Sequence, residues 1–199
     1  MEAESSRGRE AGDRTGFVCA AGILAHYVGD ACQPLHVSRF HHGHPGVASE
    51  STVHSFYETG MLDAKAPDVI AGVNFRLQGV KVANHITGGA AAANRVVQLM
   101  KATIALIDPE TLVDTWVDTK GPHHTQDLWD AVGEPTMDSM AAGALCLAEL
   151  WESAWIEGGG GAGIVDSELD CAIAQPVLMG LYNDKKFVQS KWLKNMTFA

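Results

Sequence analysis

Apolar residues recur at helical spacing along most of this chain, in runs divided by proline, glycine and polar breaks. Residues 17–31 are rich in Ala, Leu, Ile and Val and predict a helix that stops before Gln33-Pro34. Proline ends it there because it lacks the backbone donor and crowds the preceding turn. Residues 39–49, with His41-His42-Gly43-His44-Pro45-Gly46, read as a loop. Ser51 or Thr52 is placed to cap a helix through His54, Tyr57, Glu58, Met61 and Leu62. A further helix is expected over 67–77, with Pro67 in its first turn. Residues 79–87 are valine-rich and alternate, which predicts a short strand or an extended link. Gly88-Gly89 then opens a long Ala-rich helix to Ile107, with Val96, Val97, Leu99, Met100, Ile104 and Leu106 able to form an apolar face.

Asp108-Pro109 starts a shorter helix, and Glu134-Pro135 precedes the strongest helical pattern of the chain, 136–157. Trp151 and Trp155 lie four apart on that helix, where core packing is expected. The pattern therefore predicts an all-α, multi-helical fold in three parts. These are a polar N-terminal segment (1–14), a helical domain (15–157), and a Gly-rich link with a partly ordered C-terminal extension (158–199). Lys185, Lys186, Lys191 and Lys194 in that extension read as a solvated surface.

Composition narrows the classes. With 199 residues, 46% hydrophobic and 19% charged, the chain is long and apolar enough for a real core, and a disordered protein is excluded. No run is expected to reach the roughly 18 apolar residues that a bilayer-spanning helix needs. Fourteen basic against twenty-four acidic residues give a net charge of -10, which disfavours passive binding to a nucleic-acid backbone. Cys19, Cys32, Cys146 and Cys171 are too scattered for a disulfide framework and are expected as small apolar residues in helices. Residues 1–14 mix both charge signs and hold no apolar stretch of the signal-peptide kind.

Histidine carries the chemistry. Of nine histidines, six (His26, His36, His41, His42, His44 and His54) fall in one short window. His26 and Asp30 are four apart, offset by about 40° and one turn on a helix. His54 and Glu58 repeat that spacing, and His36 follows the helix-stopping proline. Imidazole and carboxylate groups in this arrangement are ligands for a divalent metal, zinc among them. Each pair also has a plain structural reading, as a core histidine, a helix end or a surface i,i+4 pair. His41, His42 and His44 are expected to be exposed in their loop, and His123-His124 to be a loop pair; His85 has no partner in sequence.

The run His26-Tyr27-Val28-Gly29-Asp30-Ala31-Cys32-Gln33-Pro34-Leu35-His36, followed by His54-Ser55-Phe56-Tyr57-Glu58, resembles the superfamily of zinc-dependent phospholipases C and single-strand-specific nucleases. The resemblance runs from about Phe17 to Glu157 and implies a bundle of that type, three zinc ions and an exported protein. It implies that His26 binds one zinc of a close pair, that Asp30 bridges the pair, and that His36, His54 and Glu58 hold the third. No separate acid or base is assigned. The implied reaction is metal-activated hydrolysis of a phosphodiester, in a nucleic acid or a phospholipid headgroup, with no obligate protein partner. Val53 and Tyr57-Glu58 look more like the phospholipase branch, and the substrate is left open.

The superfamily takes further ligands from an upstream Trp, His and Asp. The 25 residues before His26 hold neither Trp nor His, and Asp13 is the one conceivable stand-in. The expectation is thus either a fragment of a longer protein or an N-terminally truncated relative that has lost activity, and in both only the His36, His54 and Glu58 site is complete. A catalytically inactive zinc-binding helical module is the rival reading.

Overall fold

The computed structural model describes residues 18–158 and 174–183. The described residues fall into two compact units, one formed by Tyr27–Ser153 and the other by the described residues before and after it. Helices α1 (Val18–Ala31), α2 (Val53–Ser55, continued by Phe56–Met61 and Leu62–Ala64), α3 (Ala66–Leu77), α4 (Gly88–Leu106), α5 (Pro109–Asp118), α6 (His124–Glu157) and α7 (Gln175–Tyr182) account for most of the described residues. No strand occurs among them, only an isolated bridge between His41 and Gly43. The fold is all-α, as the apolar periodicity predicts.

The core of Tyr27–Ser153 brings Leu35 and Phe40 together with Val53, Tyr57 and Met61 of α2, Leu112, Val113 and Trp116 of α5, and Leu128 and Val132 of α6. Fully buried side chains of this kind contribute about 2 kcal/mol each through removal from water. A second buried contact set is polar. Thr103 donates to the Ala31 carbonyl at 2.9 Å, Ser139 donates to the Cys32 carbonyl at 2.8 Å, and the two hydroxyls meet at 3.2 Å. These bonds satisfy two carbonyls at the end of α1 that have no helical partner, and so fix where Asp30 and Gln33 stand. Cys32 and Cys146 are free thiols, and burial pushes Cys32 up to about 11, in keeping with inert helix-packing residues. Cys171, the extension's lysines and residues 1–14 lie outside the described residues.

Several boundaries differ from expectation. Helix α6 begins at His124, not Thr136, and runs through Pro135. The proline forfeits one helical bond, whose acceptor belongs to Ala131, an exposed residue whose carbonyl water can meet. Leu128 and Val132, packed in the core on the preceding turns, hold the helix continuous across the break. Thr52 occupies the N-cap of α2 without a side-chain cap bond, whereas Asp108 caps α5 by accepting from the Thr111 backbone N–H at 2.9 Å. Trp151 is 39% exposed and Trp155 half-buried, so the tryptophan pair is not core.

Taken together, Gly88–Asp118 is long and apolar enough to pass as a membrane-spanning segment, against the expectation from sequence. It is broken between α4 and α5 at Ile107 and Asp108, and Thr103 and Arg95 are committed to bonds within the protein.

Residues 79–87 form an extended link without strand pairing. Side chains on α6 tie it down: Asn84 donates to Glu149 at 2.6 Å, and the Ile86 N–H donates to Ser153 at 2.9 Å. Glu149 is buried, and Arg95 of α4 reaches its other oxygen at 2.7 Å. This three-way junction joins the link, α4 and α6.

Candidate metal centre

Two turns of the chain converge on one point. Helix α1 ends at Ala31, and Gln33 folds back so that its side-chain oxygen accepts from the N–H groups of Leu35 and His36. This turn aims His36 toward α2. There Phe56–Met61 is a π-helical stretch, a local unwinding often met at functional sites. It begins between His54 and Glu58, and Tyr57 within it is anchored by a buried 2.8 Å hydrogen bond to Thr136. His54 Nε2 and Glu58 Oε2 lie 2.5 Å apart; His36 Nε2 stands 3.0 Å from His54 Nε2 and 3.2 Å from Glu58 Oε2.

Three electron-rich atoms thus crowd one position. When neutral and donating from Nδ1 to the Asp30 carboxylate 3.0 Å away, His36 turns its Nε2 lone pair toward His54 and Glu58. That donor set is suited to a shared cation. Tetrahedral zinc keeps its ligand atoms about 3.3 Å apart, close to the separations about His36. Burial alone would raise the Glu58 carboxyl, but hydrogen bonds from His54 and Gln33 and the nearby imidazoles outweigh it and hold it below the usual carboxylate value.

His41 joins this point, which its loop position did not foretell. One ligand atom each from His36, His41 and His54 lie within 4.8 Å of one another, a cluster that can hold a metal ion. Burial, then the neighbouring imidazoles of His54, His42 and His36, lower its pKa and favour the neutral, ligating form. The loop is built to put it there. The Glu50 carboxylate accepts from the His44 backbone N–H at 2.7 Å and its Nδ1 at 2.9 Å, while His44 Nε2 faces Asp114 at 3.5 Å. The bond from the His44 backbone, then that from its ring, holds Glu50 in its charged form despite burial. His42 alone of the three loop histidines is exposed.

Gly43 permits the turn: its φ is +86°, and an added Cβ would overlap that of Glu50 and come within 2.9 Å of its Oε2. Gly43→Ala is therefore expected to cost about 1–2 kcal/mol in backbone strain, before the overlap is counted. Thermal unfolding checks the stability, and metal affinity should fall with it as His41 is displaced.

The expected site residues thus divide. His36, His54 and Glu58 meet as the spacing suggested. Asp30, expected to bridge two ions, bonds the far side of His36. His26 is exposed on α1 and belongs to the other compact unit. His85 is exposed in the link. His124, expected in a loop, opens α6 and stacks on Phe56 with ring centres 4.2 Å apart. What could have flagged His41 is the Gly43 and Glu50 pair around His44, but loop geometry is not readable from spacing.

No protein-family model matches the chain, and no solved structure matches it. Over 170 aligned positions, 74% of this chain, it is 35% identical to a probable serine protease of Bradyrhizobium tropiciagri. The chain spans about a fifth (21%) of that relative's length. This finding overturns the expectation of a zinc-dependent phosphodiesterase, whether nuclease or phospholipase C: the relative is described by a different chemistry.

Proposed function

We propose that this chain is a helical metal-binding domain, holding one zinc ion through His36, His41, His54 and Glu58. The observation that carries the reading is the approach of His36 Nε2, His54 Nε2 and Glu58 Oε2 to within 3.2 Å of one another. Three imidazoles and one carboxylate suit zinc, and four protein ligands close the site in the manner of a structural centre. When bound, the ion would lock the His-rich loop to α2 and to the end of α1.

The relative's name brings serine-protease activity to the whole protein as part of this proposal. Ser38, Ser55 and Ser139 do not fit the part of its nucleophile, because their hydroxyls donate to backbone carbonyls. A nucleophilic serine needs a base within hydrogen-bond reach. In this reading peptide hydrolysis belongs to other parts of such a polypeptide, and the helical domain supplies a metal-stabilised scaffold.

Elemental analysis tests it directly. About one zinc per chain is expected in the purified protein, with His36→Ala and His54→Ala each losing it. Zinc should also raise the unfolding temperature of metal-stripped wild type and leave the variants unmoved. A wild-type protein that neither retains zinc nor is stabilised by it overturns the reading.

A further inference from the structure

Beside the metal cluster lies an open groove of about 530 Å³. One wall runs from His36 to Arg39, and the other is the face of α4 carrying Val97, Met100, Lys101 and Ile104. The α4 wall is apolar apart from Lys101, and both Val97 (44%) and Ile104 (40%) are exposed. Seven residues separate them, about 10 Å of helix.

Arg39 and Lys101 face this groove from opposite walls, and neither has a carboxylate partner among the described residues. Their situation differs from that of the other described arginines: Arg76 is held by Glu134 and Asp138, and Arg95 by Glu149. In a chain of net charge -10, two unmatched cations flanking an apolar strip are a local inversion of the surrounding charge. The guanidinium of Arg39 offers a planar fork for a carboxylate, and Lys101 a second point charge.

We propose that this groove binds an aliphatic carboxylate, its head between Arg39 and Lys101 and its chain along Val97, Met100 and Ile104. An aliphatic chain suits the groove better than a peptide. The α4 backbone is internally bonded and offers no strand edge, so an extended peptide would gain no backbone pairing there. The groove shares His36 with the zinc centre, but the contacts proposed here, from Arg39, Lys101, Val97, Met100 and Ile104, need no ion.

The test uses the metal-stripped chain, so that failure of the zinc reading leaves it intact. Octanoate binding is measured calorimetrically in chelator, against octanamide (no charge) and acetate (no chain). Octanoate is expected to bind at least tenfold more tightly than either. Arg39→Gln/Lys101→Gln should bring it to the octanamide level, with an unchanged helical circular dichroism spectrum because both residues are exposed. Ile104→Asp should weaken octanoate in turn. Equal affinity for octanoate and octanamide, acetate binding as tightly as octanoate, or an unaffected double variant each overturns the proposal. Tighter binding of an N-acetylated tripeptide ending in leucine overturns it in favour of a peptide site.

Discussion

Arg95→Ala is expected to destabilise the chain by about 3 kcal/mol, the scale on which removing one partner leaves a buried charge without compensation. Glu149 is the charge at issue: its side chain is 3% exposed, against 23% for Arg95, so the carboxylate has little access to replacement water. Asn84 retains its 2.6 Å bond to one carboxylate oxygen, but a neutral amide does not neutralise the anion. Urea unfolding should show a lower midpoint at an unchanged slope. The variant Arg95→Met/Glu149→Leu separates buried charge from lost packing. With neither charge present, it should return to within about 1 kcal/mol of wild type. A neutral Arg95→Ala would mean that Glu149 is met by water and that the junction of the link, α4 and α6 is held by its apolar contacts alone.

That junction shows where sequence reading stops. The helices were legible because apolar residues recur locally near the helical period, as the buried Val53, Tyr57 and Met61 do on α2. Arg95 and Glu149 are 54 positions apart, and nothing near either residue announces the other. Pro135 misled for a related reason. The rule that proline ends helices is local, and it was overridden by tertiary packing at Leu128 and Val132, which keeps α6 continuous. The tryptophans misled in the opposite direction, since spacing four apart defines a face but not what covers it. In the metal centre, His54 and Glu58 were legible because both lie on α2, and His36 because a proline fixes the turn before it. His41 was not, because its placement depends on Gly43 adopting a positive φ and on Glu50 folding back to bind His44. No hydrophobic period encodes a turn of that kind.

Asp30 separates the two accounts of the centre most sharply. Asp30→Ala is expected to lower zinc affinity 10- to 100-fold while leaving the stoichiometry at about one, because the carboxylate acts through His36. Its Oδ1 lies 3.0 Å from His36 Nδ1, which fixes the ring's rotation and the tautomer that turns the Nε2 lone pair toward His54 and Glu58. Without it, His36 has a second tautomer open to it and must be ordered at the expense of binding energy. Glu58→Ala, which removes a proposed ligand, should by contrast abolish stable retention. Chelator competition gives the affinities, and elemental analysis of dialysed protein gives the counts. A bridging carboxylate predicts another pattern: more than one ion in wild type, and a fall in the count with Asp30→Ala. Asp30→Asn sharpens the distinction, since an amide oxygen can still accept from Nδ1 and should restore much of the affinity if the residue only orients His36. An Asp30→Ala protein that binds zinc as tightly as wild type would remove Asp30 from the centre and leave His36 to be held by Gln33 and the turn after α1.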